Sequence, residues 1–518
     1  MKIDYSKYYT YKEMEDVIKY LAEEYPSSAR LSTLGVTDEG RNIYLLAITK
    51  DINSDDAEKK PGYYVQASLH SSEPSGFNAC LHMAETLLKD QPEVMNDVIF
   101  YIVPRINPDG IEGNLVNNTT TRSKNIKDPK KRENIINCMD MDGDGLILQM
   151  RVKNPLGNYK EVEPGIMAPR QQGETEGIFY DLYEEGEVEN YNGTPPDYSH
   201  RMYDFNRCYP INWIPNVSSS EYPGRFTESR VVMEFLVTHP NIFAGMDYHN
   251  GPNGILRSPM CDDHLIDHRN LKLIKSIGEK AAEITGFPLI HEYNYGKRKF
   301  VRHGNTNDFA YGVLGISHYV VELGSGINDI GVTTDEYLTA GKQDWEYYSE
   351  IKKFNEEKGN NPVFYEFKPF KHPQLGDVEI GGKRSGSGYL QNPVVLPEIV
   401  SKTTEFMLLH ADMRPKLLIG DVETLELGDG IKRIRAQIKN LGIMGTQIIK
   451  NDSYNSKIPV NVYIEGDCEI LSRPNIYEKD NLDSMENMYV EWFIKTKDNS
   501  TLYIVAEHPK VNVTKQKV

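Results

Sequence analysis

Apolar positions over the first four hundred residues follow two alternating rhythms. In YKEMEDVIKYLAEEYP they recur at three- and four-residue spacing, which predicts an amphipathic helix closed by Pro26. NIYLLAIT, GYYVQASL, DVIFYIVP and IFAGMDYH are short runs rich in β-branched and aromatic residues, and they predict strands. Helical patterns such as GFNACLHMAETLLKD and HLIDHRNLKLIKSIGEKAAEIT lie between them. Strands alternating with helices predict an α/β fold, a mixed, mostly parallel sheet flanked by helices. Such sheets receive ligands beyond the carboxyl ends of their strands.

Two stretches break the rhythm. Residues of about 112–205 are polar and rich in Asn, Asp, Gly and Pro, which predicts a long insertion carried in loops. After Arg414, KLLIGDVETLEL, KRIRAQIKNLG, IPVNVYIEGD, YVEWFIKT and TLYIVAE are strand patterns separated by turn residues. They predict an all-β sandwich as an accessory domain at 414–518, behind a main domain at 1–413. A chain of 518 residues exceeds what one core supports, so two domains are expected in any case.

Charge narrows the partners. The chain has 58 basic against 76 acidic residues, a net charge of -18, which argues against nucleic acid and anionic membrane surfaces as partners. Its five cysteines form no CxxC pair and fit a reducing compartment better than a disulfide framework. Residues 1–20 contain no apolar signal core, and no run of 18 apolar residues occurs. The expectation is a soluble cytoplasmic protein.

Candidate chemistry begins at the end of GYYVQASL, where His70 and Glu73 form an HxxE pair that can grip one metal ion from the same side. With thirteen histidines such a pair also arises by accident, and His82 with Glu85 is a second one, inside a helical pattern that reads as surface. The ordered motifs downstream give the first pair its weight. NPDG (Asn107–Gly110) ends another strand; Arg122 comes next; YDFNRCYP supplies Asn206 and Arg207; MDYHNG places His249, and HYVVELGSG places Glu322, at two further strand ends. Two histidines, a carboxylate and an open position make a catalytic zinc set, beside which another carboxylate can accept a proton.

The series HSSE, NPDG, a distal arginine, DFNR, DYHN and VVEL resembles the M14 family of zinc carboxypeptidases over about residues 5–412. Asp308, inside HGNTNDFAYG fourteen residues before Glu322, also matches. The resemblance implies one catalytic zinc on His70, Glu73 and His249, with Glu322 as general base for zinc-activated water. It further implies Arg122 as oxyanion stabiliser. Asn206 and Arg207 would clamp a substrate's terminal carboxylate, which a planar guanidinium suits. The substrate is then a peptide with a free C-terminus. A related zinc deacylase or amidohydrolase, or a carboxypeptidase acting on cell-wall peptides, is the alternative.

The sequence departs from the pattern in three places. Phe300 stands where the best-known branch has a mobile-loop tyrosine, and Tyr293, Tyr295 and Tyr311 lie nearby without an assignable role. Ser72 stands where many relatives have arginine, and Asn307, at the position that reads the substrate side chain, indicates neither an apolar nor a basic preference. Separately, Asp140, Asp142 and Asp144 followed by Gly145 start like a calcium loop, but Arg151 occupies the twelfth position. The cluster suits either a structural Ca²⁺ or a solvated acidic turn.

Overall fold

The computed structural model describes residues 1–117, 119, 122–125, 133–196, 202–216, 218–296, 301–359, 362–385, 391–448, 458–496 and 500–518. The first amphipathic pattern is a helix, Tyr11–Glu24. Thr10 and Glu13 form a capping box at its start, and Met14, Val17, Ile18 and Leu21 are buried at the predicted spacing. It packs with the helices Ser75–Asp90, His268–Thr285 and Leu396–Asp412 on one face of an eight-stranded sheet. Helix Thr227–Thr238 and residues around 203–211 cover the other face.

The four inner strands of that sheet read as unbroken apolar runs because both of their faces are covered. Ile99–Val103, Gly62–Ala67, Ile242–His249 and Ser317–Glu322 lie side by side, all parallel, and every residue in them is buried. Antiparallel strands Ala29–Val36 and Asn42–Ile48 extend one edge. Gly254–Arg257, antiparallel, and Leu289–His291 extend the other. The register pairs Tyr248 with Ala67 and His249 with Glu322. Three candidate segments therefore leave the sheet at the same end.

The 112–205 region corrects the expectation of loops. Gln149–Lys153, Tyr159–Glu163, Ile166–Pro169 and Tyr180–Glu184 join Phe364–His372 and Gly376–Lys383 in a six-stranded antiparallel sheet. Leu148, Met150, Tyr183, Val188, Val378 and Ile380 form its core. Strands such as YKEVE are mostly exposed, and one partner of Gln149–Lys153 is Gly376–Lys383, some 230 residues downstream, so local pattern gave no sign of this sheet. Arg151 belongs to this sheet. Its guanidinium lies over the rings of Tyr180 and Phe367 and bonds Glu161 and Glu379 at 2.8 and 2.9 Å.

From Leu417 onward all regular structure among the described residues is β. Leu417–Gly428, Ile431–Asn440, Asn487–Thr496 and Cys468–Ile470 form one four-stranded sheet, and Ile476–Lys479, Val460–Glu465, Tyr503–Glu507 and Thr514–Lys517 a second. A separate core holds them face to face around the fully buried Trp492. Ion pairs Arg414–Asp97 and Arg269–Asp483, with Lys510 donating to the carbonyl of Gly315 at 2.7 Å, tie the sandwich to the larger body. No helix among the described residues is long and apolar enough to cross a membrane.

One buried acid makes stability depend on pH. Burial pushes the Asp329 carboxyl up to about 7, against the pull of the Asn392 N–H donated to its Oδ2. A folded-state pKa above the unfolded value of about 3.9 favours the protonated form in the fold. The contribution is therefore complete in acid and lost as pH rises through about 7. Asp329→Asn, which cannot ionise, should gain about 2 kcal/mol over the parent at pH 8 and little at pH 4. Thermal unfolding across that range checks this; parallel pH profiles would refute it.

Candidate active site

His70 stands three residues beyond the strand Gly62–Ala67. Ser68, at φ 58°, turns the chain there so that His70 and Glu73 face back over the sheet end before the helix Ser75–Asp90 begins. His249 is the last residue of its own strand. All three side chains are buried. The two imidazoles turn Nδ1 inward, 3.2 Å apart, and the Glu73 carboxylate bridges them, Oε1 lying 2.8 Å from His70 Nδ1 and Oε2 2.7 Å from His249 Nδ1.

The outward nitrogens face carboxylates. His70 Nε2 is 3.0 Å from Asp204 Oδ1 in hydrogen-bond geometry. His249 Nε2 is 3.1 Å from Asp247 Oδ2, an ion-pair distance that is off-line for a hydrogen bond. Asp247 is itself fixed by Gln66, whose amide donates to it at 2.7 Å. Carboxylates at the Nε2 atoms leave the Nδ1 lone pairs for a ligand, the usual outer arrangement around a metal-binding histidine.

This donor set fits zinc. Two nitrogens held at about 2.0–2.1 Å by one tetrahedral ion stand about 3.3 Å apart, close to the spacing here. The electrostatics agree. Burial resists charge on His249, yet Asp247 and Glu73 more than offset it and hold its pKa well above the ordinary value. Glu73 stays well below the carboxylate range despite burial, because His70, His249 and Arg122 surround it. The cluster thus calls for positive charge between the two imidazoles. His70, Glu73 and His249 form a group whose donor atoms lie within 4.8 Å of one another.

Arg122 is not an ordinary solvated arginine. Its Nη1 donates to Glu73 Oε1 at 2.8 Å and its Nε to Asp204 Oδ2 at 3.3 Å. The NPDG motif is more than a turn, since Asn107 Nδ2 donates to the carbonyls of Ser123 and Leu69 and thereby holds the Arg122 segment against the His70 segment. Gly110 is required there, because a Cβ would stand 2.2 Å from Ser71 Oγ. Asn206 Oδ1 accepts from the N–H and hydroxyl of Thr306, and Arg207 Nη1 donates to the Asn206 carbonyl at 2.6 Å. Glu322 ends its strand almost fully buried; burial and then Glu73 push its carboxyl up to about 8, against His249, and its Oε2 has no hydrogen-bond partner. All seven residues line one cavity of about 240 Å³.

Residues 14–145 match the family model described as zinc carboxypeptidase. That stretch is similar to a zinc carboxypeptidase domain. Over 109 residues the chain is 32% identical to carboxypeptidase D of Drosophila melanogaster, covering 20% of this chain and 8% of that protein. Over 111 residues it is 28% identical to carboxypeptidase B of Astacus astacus, covering 21% of this chain and 35% of that one. The chain thus spans well under two thirds of the length of these curated relatives. Among solved structures, carboxypeptidase A from Helicoverpa armigera aligns with a TM-score of 0.47 at 16% identity, over 79% of this chain and 75% of that one. Residues 416–518 match a domain of unknown function (DUF8731).

Several residues around this site escaped sequence reasoning. Asp204 stood inside the DFNR motif, and Asp247 stood two residues before His249, where strand alternation puts both on one face. Glu292 and Arg302 also line the cavity, and no motif marked them. Of the tyrosines near the domain's Asp308, Tyr295 lines the cavity and donates to the Pro252 carbonyl at 2.7 Å, whereas Tyr311 is buried in the core. Phe300 lies outside the described residues. His82 and Glu85 sit on the helix Ser75–Asp90, bonded to Thr404 and to Lys89 and Tyr5, away from the cavity.

Carboxylate oxygens of Asp140, Asp142 and Asp144 lie within 4.8 Å of one another, a spacing a cation could use and one that exposed acidic turns also show without a cation. Asp140 accepts from the N–H groups of Gly143 and Gly145, Asp142 from Asp144, and Asp144 from Leu146. These carboxylates cap their own turn, as aspartates do without a cation.

Proposed function

We propose that the chain is a zinc-dependent carboxypeptidase that hydrolyses the last peptide bond of substrates with a free C-terminal carboxylate. The observation that carries this reading is the convergence of the His70–Glu73–His249 group, Glu322 and the Asn206–Arg207 pair on one cavity. His70, Glu73 and His249 would hold the ion. Zinc, when held there, polarises a carbonyl and lowers the pKa of water. Glu322, buried and short of hydrogen bonds, takes a proton from the attacking water and passes it to the departing amine. Arg122, with one edge fixed by Glu73 and Asp204, aims positive charge at the oxyanion that forms. Arg207 and the Asn206 amide receive the terminal carboxylate.

That clamp favours this reading over a deacylase or amidohydrolase whose substrate carries no free carboxylate beside the scissile amide. Cell-wall peptides with a free terminus fall within the same reading. No described residue from Leu417 onward lines the cavity, so the sandwich is assigned no catalytic part. The test is mass-spectrometric digestion of peptides bearing free or amidated C-termini, with and without a zinc chelator. Loss of single residues from free acids alone, abolished by the chelator, supports the proposal; cleavage blind to the terminus refutes it. Arg207→Ala should raise KM for free-acid peptides about 100-fold, the worth of a charge-assisted hydrogen-bond pair. An unchanged KM would remove Arg207 from the clamp.

A further inference from the structure

Glu292 is a buried carboxylate that the proposed chemistry does not use. It is 3% exposed, comes directly after the strand Leu289–His291, and lines the same cavity as Arg207 and Glu322. Its Oε2 accepts from Asn307 Nδ2 at 2.8 Å, and no basic nitrogen of the described residues lies within 4.0 Å of its carboxylate. Arg302, nearby, spends its guanidinium on the carbonyls of Glu292 and Tyr295, and Arg207 spends one nitrogen on the Asn206 carbonyl. A buried carboxylate without a contacting cation is costly; burial pushes the Glu292 carboxyl up, against the Asn307 amide and the more distant Arg302 and Arg207, and a cation paired with it would hold it charged.

The neighbouring groups hold Glu292 in place. A carboxylate only accepts, so Asn307 presents its NH₂ to Glu292 and its oxygen to His318 Nδ1, 2.9 Å away. Burial keeps His318 neutral, with its pKa pushed down to about 4. The relay from His318 through Asn307 therefore fixes one oxygen of Glu292 and leaves Oε1 for a ligand. Leu256 and Val320, paired across adjacent strands, add apolar wall to the cavity. An apolar wall with a carboxylate beside it matches a side chain with an aliphatic stem and a charged tip.

We infer that Glu292 is the specificity-determining residue of this cavity and selects peptides whose C-terminal residue carries a cationic side chain of lysine length. The inference rests on the carboxypeptidase reading above and adds the substrate class. Asn307, neutral and uninformative in sequence, acts here as a positioning residue for a carboxylate fifteen residues upstream.

The test compares two free-acid peptides identical except for C-terminal lysine or norleucine, which share a four-carbon stem and differ in the ammonium. With the zinc-loaded full chain, kcat/KM should favour lysine by about 30-fold, the worth of one charge-assisted hydrogen bond. In Glu292→Gln that ratio should fall to near one. A parent ratio near one, or a ratio that survives in Glu292→Gln, overturns the inference; the second result would make Glu292 a mere counter-charge for the arginines. If neither peptide is cleaved, the carboxypeptidase reading fails, and calorimetric titration with Nα-acetyl-lysine and Nα-acetyl-norleucine decides the pocket separately. Tighter binding of the lysine compound, lost in Glu292→Gln, sustains the pocket; equal or absent binding of the two overturns it.

Discussion

Glu322→Gln should keep its zinc and lose turnover by roughly 10³-fold or more, the upper range of what a positioned acid–base group contributes. Glutamine keeps the length and volume of the side chain, so packing at the end of the strand Ser317–Glu322 is preserved. The amide cannot accept a proton from water or hand one to an amine. Nor does it break an existing bond at Oε2, which has no partner, so the fold should tolerate it. The checks are zinc stoichiometry by elemental analysis, the thermal midpoint, and steady-state hydrolysis of one free-acid peptide. A variant that retains zinc and works within tenfold of the parent would show that the proton is handled elsewhere.

His249→Ala should lose the metal itself. It removes one of three donors and also strands Asp247 and one oxygen of Glu73, both buried and both facing that imidazole. Disturbing an outer partner of a metal ligand costs roughly 10–100-fold in affinity, and removing a ligand must cost more. The readout need not be activity. Zinc at a thousand times its dissociation constant stabilises a protein that binds it only when folded by about 4 kcal/mol. The parent should therefore show a rise in melting temperature with added zinc, and His249→Ala should show none over the same range. His82→Ala, at the other HxxE pair, should rise like the parent. An undiminished shift in His249→Ala would place the ion elsewhere.

The strand ends that carry the site were legible because buried parallel strands advertise themselves as apolar runs, and His70, His249 and Glu322 each stand at the end of one. Ordered motifs then named the clamp and Arg122. Asp247 was readable by alternation along IFAGMDYH, yet its value depends on which nitrogen of His249 faces it, and that is a matter of rotamer. Glu292 had no such signal. Its meaning comes from Asn307 and His318, brought beside it by two separate segments, and from the cations of the described residues, which stay beyond contact distance. The insertion was misread because antiparallel strands with an exposed face and distant partners resemble polar loops when read locally.

The six-stranded sheet also bears on how the chain is made. Gln149 pairs with Gly381 and Met150 with Ile380, residues about 230 positions apart. During synthesis the strand Gln149–Lys153 leaves the ribosome long before the hairpin of Phe364–His372 and Gly376–Lys383 that will flank it. Until then one of its edges carries unpaired N–H and C=O groups, an open template for another chain. Pairings of such long range close late in folding. The region around 149–184 is thus neither a detachable ornament nor a graftable module. A chain cut short before residue 364 would keep His70, Glu73, His249 and Glu322 and still present a sticky edge.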